Sequence, residues 1–508
     1  MIGYEIFNKA AKNMDLYPVF GNPGTTEIPM LEDIESDNYV LTLHDSISVG
    51  MADGRAQLTR KPSLVNLHSI LGIGNSMAFI YSAYIHKIPL IITAGEQDNR
   101  HIFYDPLLSG NINDMISRYT KYNFEIRSAD DIERSIRRAY ISSLTPPFSL
   151  SFLGFPMDTL EEDATFRNLS RPEVNNEVLD DRAVREICNA INNSRNPVMV
   201  LGYEADLYGG IGYAKEFARK LKIPVYAEPF ASRGPYDSGD PYYAGDIPPV
   251  AEMINKSLSG FDLILMVGGD INLYPYSSSP LLPDKRIIKV GFDISGKIGD
   301  SYFMNPSTFL RESLKYLNPK SGGKIPAKPG IDQNSQIQRV MLKIHENFSG
   351  YTVADESISA SPFLRQILGY NQDSYFIGKS GQIGWALPAA AGMATVNPKV
   401  LCVIGDGAFM YTSQTLWTIK NYNLPVKLII LDNHGYGILK KFQEVNYNNA
   451  SKYLSFKIDL KTVVESYGVD VKENDESMKD IEWIRSHDGP AALIIRVDKP
   501  YGYNLFNK

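Results

Sequence analysis

Residues 400–439 read VLCVIGDGAFMYTSQTLWTIKNYNLPVKLIILDNHGYGIL. An apolar run (400–404) breaks at Gly405-Asp406-Gly407, a helix-patterned segment follows, and a second apolar run (426–431) ends in Asp432-Asn433. Short runs rich in Val, Ile and Leu on either side of a helical stretch predict two buried parallel strands and their crossover helix. Asp406 and Asn433, 27 positions apart, then meet at the carboxyl edge of a sheet, where open α/β sheets bind ligands. A carboxylate and an amide carbonyl are hard oxygen donors, suited to Mg²⁺ or Ca²⁺ with positions left for phosphate oxygens. The two glycines let the backbone approach a phosphate. The plainer reading is a turn Asp and a capping Asn; an Asn placed just after a second strand favours the ligand site.

The same alternation runs through the whole chain. Strand-like runs at 63–67, 89–94, 149–152, 196–201, 261–267, 286–292 and 491–497 are separated by helical patterns. This predicts an α/β protein built of doubly wound parallel sheets. A chain of 508 residues exceeds one hydrophobic core,. Two loop-like stretches, 157–177 and the Pro-, Gly- and Lys-rich 318–331, divide it into domains at 1–160, 178–318 and 332–508,. The net charge of −7, with no basic run, argues against nucleic acid and acidic membrane surfaces as partners,. Two isolated cysteines, Cys188 and Cys402, read as buried free thiols,. The amphipathic N-terminus is no signal peptide and no apolar run is long enough to span a membrane, so a soluble, cytoplasmic protein is expected.

Several stretches, in order along the chain, resemble the thiamine diphosphate-dependent decarboxylase superfamily. They are VFGNPGTTEIP (19–29), ADGRAQLTRKPSLVNLHSILGIGN (52–75), PLIITAG (89–95), GWALPAAAG (384–392) and the 400–439 stretch. The match lies in the pyruvate decarboxylase and acetolactate synthase group, nearest its benzoylformate decarboxylase branch. It implies an N-terminal pyrimidine-binding domain, a central Rossmann-like domain and a C-terminal diphosphate-binding domain. It also implies thiamine diphosphate as cofactor, with Mg²⁺ held by Asp406, Asn433 and the backbone carbonyl of Gly435. Gly405, Gly407, Ala408, Tyr436 and Ser359 fall where the family binds the diphosphate. Gly381 and Ile383 fall where it holds the cofactor bent.

The resemblance also implies catalytic residues. Thr25 stands where a serine contacts the substrate carboxylate, and His68 where a histidine handles protons. Asp45 stands where the family has a glutamate that bonds the aminopyrimidine; aspartate is shorter by one C–C bond, about 1.5 Å. A plainer role for Asp45 is to cap a helix starting near Ser46. Leu107, Leu108, Ile438, Leu439 and Phe442 align with a substrate pocket. Ile438 replaces an alanine there, which points to a substrate side chain smaller than phenyl or differently shaped. A middle-domain histidine of the family has no counterpart in VGGDINLYPYSSSP (267–280), where Pro275 takes its place. Tyr274, Tyr276, a water or the loop residue His101 are the candidate substitutes.

The implied activity is non-oxidative decarboxylation of a 2-oxo acid to an aldehyde and CO₂, with acyloin formation as a side reaction. An acetolactate synthase-type carboligase is the alternative, and a cofactor binder with impaired or repurposed catalysis is a further one because of Asp45. The absence of a G-x-G-x-x-G after a middle-domain strand disfavours bound FAD. The family also implies a homo-oligomer, a dimer or a dimer of dimers (homotetramer), with sites between subunits.

Overall fold

Three six-stranded sheets, each parallel in every pairing, organise the computed structural model. It describes residues 1–274, 277–320, 334–368, 371–447 and 452–497, with 325–327, 330 and 332 between them. The first sheet comprises β1 (Val19–Asn22), β2 (Tyr39–Leu41), β3 (Ser63–Leu67), β4 (Leu90–Glu96), β5 (Thr120–Glu125) and β6 (Leu150–Pro156), in the order β2-β1-β3-β4-β6-β5. The second comprises β7 (Pro197–Leu201), β8 (Val225–Ala227), β9 (Tyr243–Asp246), β10 (Leu263–Val267), β11 (Arg286–Gly291) and β12 (Asp300–Phe303), in the order β12-β11-β10-β7-β8-β9. The third comprises β13 (Thr352–Glu356), β14 (Tyr375–Ile377), β15 (Val400–Gly405), β16 (Val426–Asp432), β17 (Asp470–Asn474) and β18 (Ala491–Arg496), in the order β14-β13-β15-β16-β18-β17. Helices cover both faces, as parallel sheets require. Every apolar run expected to be a strand lies on one. LILMV of β10 and VKLIILD of β16, both central strands, are buried along their whole length.

In each sheet the strand order reverses beside the first strand, between β1 and β3, β7 and β10, and β13 and β15. Such reversals open a crevice at the carboxyl ends of the strands. The first and third domains share one continuous hydrophobic core. Its centre is the crossing of helix Asp45–Thr59 with helix Ala386–Ala394. A β-carbon at Gly392 would lie 1.8 Å from the Met51 carbonyl oxygen, so only glycine permits this approach,. Beside the crossing, Asp53 accepts the indole N–H of Trp385 and the Nδ1–H of His86, both at 2.8 Å. The backbone N–H of Lys379 donates to His86 Nε2 at 3.0 Å. The loop leading into helix Ala386–Ala394 is therefore tied to the first domain at both ends. Cys188 and Cys402 are buried free thiols. Among the described residues no helix is long and apolar enough to cross a membrane.

Candidate active site

Thr25, Glu27, His68 and Gly95 gather near the reversal point of the first sheet, Thr25 and Glu27 after β1, His68 after β3 and Gly95 at the carboxyl end of β4. Thr25 is exposed and His68 half-buried. Glu27 is fully buried and saturated with donors. Its Oε1 accepts from Gly95 N–H at 2.8 Å, Ser69 N–H at 3.3 Å and the Thr26 hydroxyl at 2.8 Å. Its Oε2 accepts from Gly24 N–H at 2.8 Å and contacts His68 Nδ1 at 2.7 Å. Sequence reasoning named Thr25 and His68 but not Glu27. The available signal was an acidic residue inside a stretch of small and apolar residues next to a strand end.

Asp45 opens helix Asp45–Thr59 and is 5 % exposed. It does not cap that helix; the N-cap is His44, whose Nδ1 accepts the Ser46 N–H at 3.2 Å. One Asp45 oxygen accepts from Asn75 Nδ2 at 3.4 Å, and Oδ1 is buried with no hydrogen-bond partner. An unpaired buried carboxylate oxygen is costly. It packs against Gly72, where a β-carbon would come within 2.6 Å of Oδ1.

In the third domain Asp406 follows β15 and Asn433 follows β16, at the edge expected from the sequence. Asp406 is 3 % exposed and accepts Gly407 N–H at 2.8 Å and Gly435 N–H at 3.0 Å. Burial pushes its carboxyl up to about 6, against those hydrogen bonds,. Asn433 Oδ1 is buried without a partner. The space above Gly405 is open, and Gly407 lies under Tyr436, where a β-carbon would meet the ring at 2.7 Å. Ala408 is buried in the helix Asp406–Tyr411 that follows β15, and Ser359 is buried in the turn after β13. Gly381 has φ +83° and open space around it, while Ile383 packs its side chain partly on the shared core. A carboxylate, an orphaned amide oxygen and glycine-lined open backbone fit a Mg²⁺–diphosphate group. Among the described residues no cluster of three His, Cys, Asp or Glu side chains offers a metal site of another kind.

The remaining candidates are dispersed. His101 and Leu107 are exposed on the loop after β4, with Leu107 at 84 %, and Leu108 is half-buried beside it. Ile438 and Phe442 are half-buried and Leu439 is exposed, all on helix Gly437–Tyr447 of the third domain. Tyr274 is exposed, and Pro275 and Tyr276 lie outside the described residues. No hydrogen bond joins Thr25, His68 or Asp45 to Asp406, Asn433 or Gly435 among the described residues.

Three α/β domains with a carboxylate–amide cradle in the third define a diphosphate-cofactor enzyme. The family descriptions agree domain by domain. "Thiamine pyrophosphate enzyme, N-terminal TPP binding domain" matches residues 1–108, the central domain of the same family matches 184–308, and the C-terminal TPP binding domain matches 359–495. The chain belongs to the thiamine pyrophosphate enzyme family. It is 29 % identical to benzoylformate decarboxylase of Pseudomonas aeruginosa, over 92 % of each chain. It is 23 % identical to the acetolactate synthase large subunit of Lactococcus lactis, over 98 % of this chain and 92 % of that one. Its structure is similar to benzoylformate decarboxylase from Polynucleobacter necessarius, with TM-score 0.93 and 26 % identity over 99 % of both chains. It is also similar to a 4-hydroxybenzoylformate decarboxylase from Rhodococcus jostii, with TM-score 0.92 and 27 % identity over 98 % of this chain and 99 % of that one.

Proposed function

We propose that the protein is a Mg²⁺-dependent, non-oxidative 2-oxo acid decarboxylase that releases CO₂ and an aldehyde, with acyloin formation as a side reaction. The observation that carries this reading is the carboxylate-anchored His68, at the reversal point of the first sheet where the exposed Thr25 also lies. Bound thiamine diphosphate supplies a carbon nucleophile and an electron sink for the loss of a carboxylate as CO₂. Asp406, Asn433 and the Gly435 carbonyl would hold Mg²⁺, while Gly405, Gly407, Ala408, Tyr436 and Ser359 would bind the diphosphate. Gly381 and Ile383 would support the ring system. Asp45, whose Oδ1 has no partner in the folded chain, would accept a hydrogen bond from the pyrimidine. Thr25 and His68 orient the substrate carboxylate, and His68 moves a proton at Nε2. Leu107, Leu108, Ile438, Leu439 and Phe442 exclude water, and an apolar surround favours loss of the carboxylate charge. Two copies of the chain would bring the first-domain and third-domain residues together, in a dimer or a dimer of dimers. The exposed Ile102, Phe103, Tyr104 and Leu107 supply apolar surface for that contact,.

The carboligase reading is the alternative, and many such enzymes carry flavin on the middle domain. In this chain the Glu228 carboxylate accepts Tyr203 N–H at 3.0 Å and Asp270 N–H at 2.7 Å, where β7 and β10 part. A dinucleotide diphosphate binds at such a point, and a protein carboxylate already stands there. This supports the flavin-free decarboxylase. The test is CO₂ release with thiamine diphosphate and Mg²⁺ over a panel from pyruvate through branched aliphatic 2-oxo acids to benzoylformate, with products identified. Aldehyde from one class supports the proposal. Acyloin alone supports the carboligase, and no turnover with cofactor bound overturns both.

A further inference from the structure

The geometry points to Glu27 as a positioning residue that keeps the ring proton of His68 on Nδ1 and so makes Nε2 the one ring atom able to exchange a proton with a bound substrate. The inference rests on the decarboxylase reading for its kinetic consequence, not for its chemical content. A carboxylate only accepts hydrogen bonds, so the 2.7 Å contact to Oε2 requires N–H at Nδ1,. Nδ1 has no better partner. The Thr26 hydroxyl lies 3.4 Å away and gives its own hydrogen to Glu27 at 2.8 Å.

The carboxylate cannot swing aside. Donors at the carboxyl ends of β1, β3 and β4 clamp it from three directions: Gly24 N–H, Ser69 N–H and Gly95 N–H. The imidazole is fixed as well. It lies against Gly24, where a β-carbon would come within 2.1 Å of the ring. Ser69, the residue after His68, has φ +53°, an unusual conformation for serine, and its N–H in that conformation reaches Glu27 Oε1,. Anchoring one ring nitrogen on a carboxylate fixes the tautomer and aims the other nitrogen, the same logic as the orienting acid of a catalytic triad.

The competing explanation is that Glu27 merely satisfies three backbone N–H groups. Glu27→Gln separates the two. Two backbone N–H groups converge on the Oε1 place, which the amide oxygen must keep. The amide NH₂ then falls at the Oε2 place and faces Nδ1. Nδ1 must become an acceptor, and the proton moves to Nε2. The measurement is ¹⁵N NMR of the histidine-labelled protein without substrate, with the His68 signals identified by their loss in His68→Asn. The expected result is Nδ1–H in the parent and Nε2–H in Glu27→Gln. The same tautomer in both, or Nε2–H in the parent, overturns the proposal. Glu27→Asp serves if Glu27→Gln fails to fold. It keeps the charge but withdraws from His68, and loss of the Nδ1–H form is expected there too; its retention overturns the proposal. On a substrate that is turned over, Glu27→Gln is expected to lower kcat on the order of 100-fold with KM nearly unchanged. A parallel fall in melting temperature with no tautomer change would mark a structural role alone. No turnover by the parent would refute the decarboxylase reading and leave the NMR result standing.

Discussion

Arg233 and Asp206 form an ion pair sealed from solvent, Nε to Oδ2 at 2.8 Å, with both side chains 1 % exposed. The same guanidinium also pairs with Asp373, donates to the Gln57 carbonyl at 2.5 Å and lies 4.6 Å above the Phe376 ring. Arg60 reaches Asp373 from the first domain at 2.6 Å. One buried cation thus joins all three domains through Asp206, Gln57 and Asp373.

Arg233→Met removes the cation and leaves Asp206 buried without its partner. Breaking a buried pair from one side costs about 3–5 kcal/mol. Urea unfolding of Arg233→Met is expected to show that loss. Arg233→Met combined with Asp206→Asn is expected to recover part of it, because no uncompensated charge remains. Equal stability of the parent and Arg233→Met would show that the pair carries no net interaction.

Asp45 offers the second test. Its Oδ1 has no partner and faces the glycine at 72. If this oxygen performs the family glutamate's role, Asp45→Ala is expected to slow exchange of the C2 proton of bound thiamine diphosphate by about 100-fold or more. Binding of the cofactor, followed by tryptophan fluorescence, is expected to change much less. Unchanged exchange would exclude Asp45 from that step.

How much of this was legible depends on where each residue's partners lie in the chain. Strands buried on both faces announce themselves as apolar runs, and LILMV and VKLIILD were read from sequence with nearly the observed ends. The edge strands β5 (TKYNFE) and β17 (DVKEN) mix charged and polar residues, because one side faces solvent, and left no such trace. Asp406 and Asn433 were legible because their strand ends are adjacent in one βαβ unit. Glu27 was not, because its donors come from residues 24, 69 and 95, three separate strand ends that only the folded sheet assembles. The role of Asp53 was hidden for the same reason, since Trp385 is its partner across two domains.

Ile438 tests the pocket. It is half-buried on helix Gly437–Tyr447, at a place where the resembling decarboxylase has alanine. If Ile438 lines the substrate pocket as proposed, its truncation enlarges the space for the substrate side chain. Ile438→Ala is expected to raise kcat/KM for benzoylformate relative to pyruvate by about 10-fold or more, since each methylene of fit is worth roughly 1–3 kcal/mol. An unchanged ratio would remove Ile438 from the pocket.

Glu96, at the end of β4, gives the stability of the protein a pH dependence. Its Oε1 is buried without a hydrogen-bond partner. Burial, reinforced by the nearby Glu125 carboxylate, pushes its carboxyl up to about 8 from an ordinary value of 4.5,. The folded protein therefore holds this proton more tightly than the unfolded chain does. Between about pH 4.5 and 8 the unfolded chain binds fewer protons at this position, so the contribution of Glu96 to stability falls as pH rises and levels off above 8,. Glu96→Gln cannot ionise and removes that slope. Relative to the parent, Glu96→Gln is expected to gain about 1–2 kcal/mol on going from pH 5 to pH 8. Thermal or urea unfolding at the two pH values measures the gain, and parallel pH profiles for parent and variant would show that Glu96 is ionised in the folded protein throughout that range.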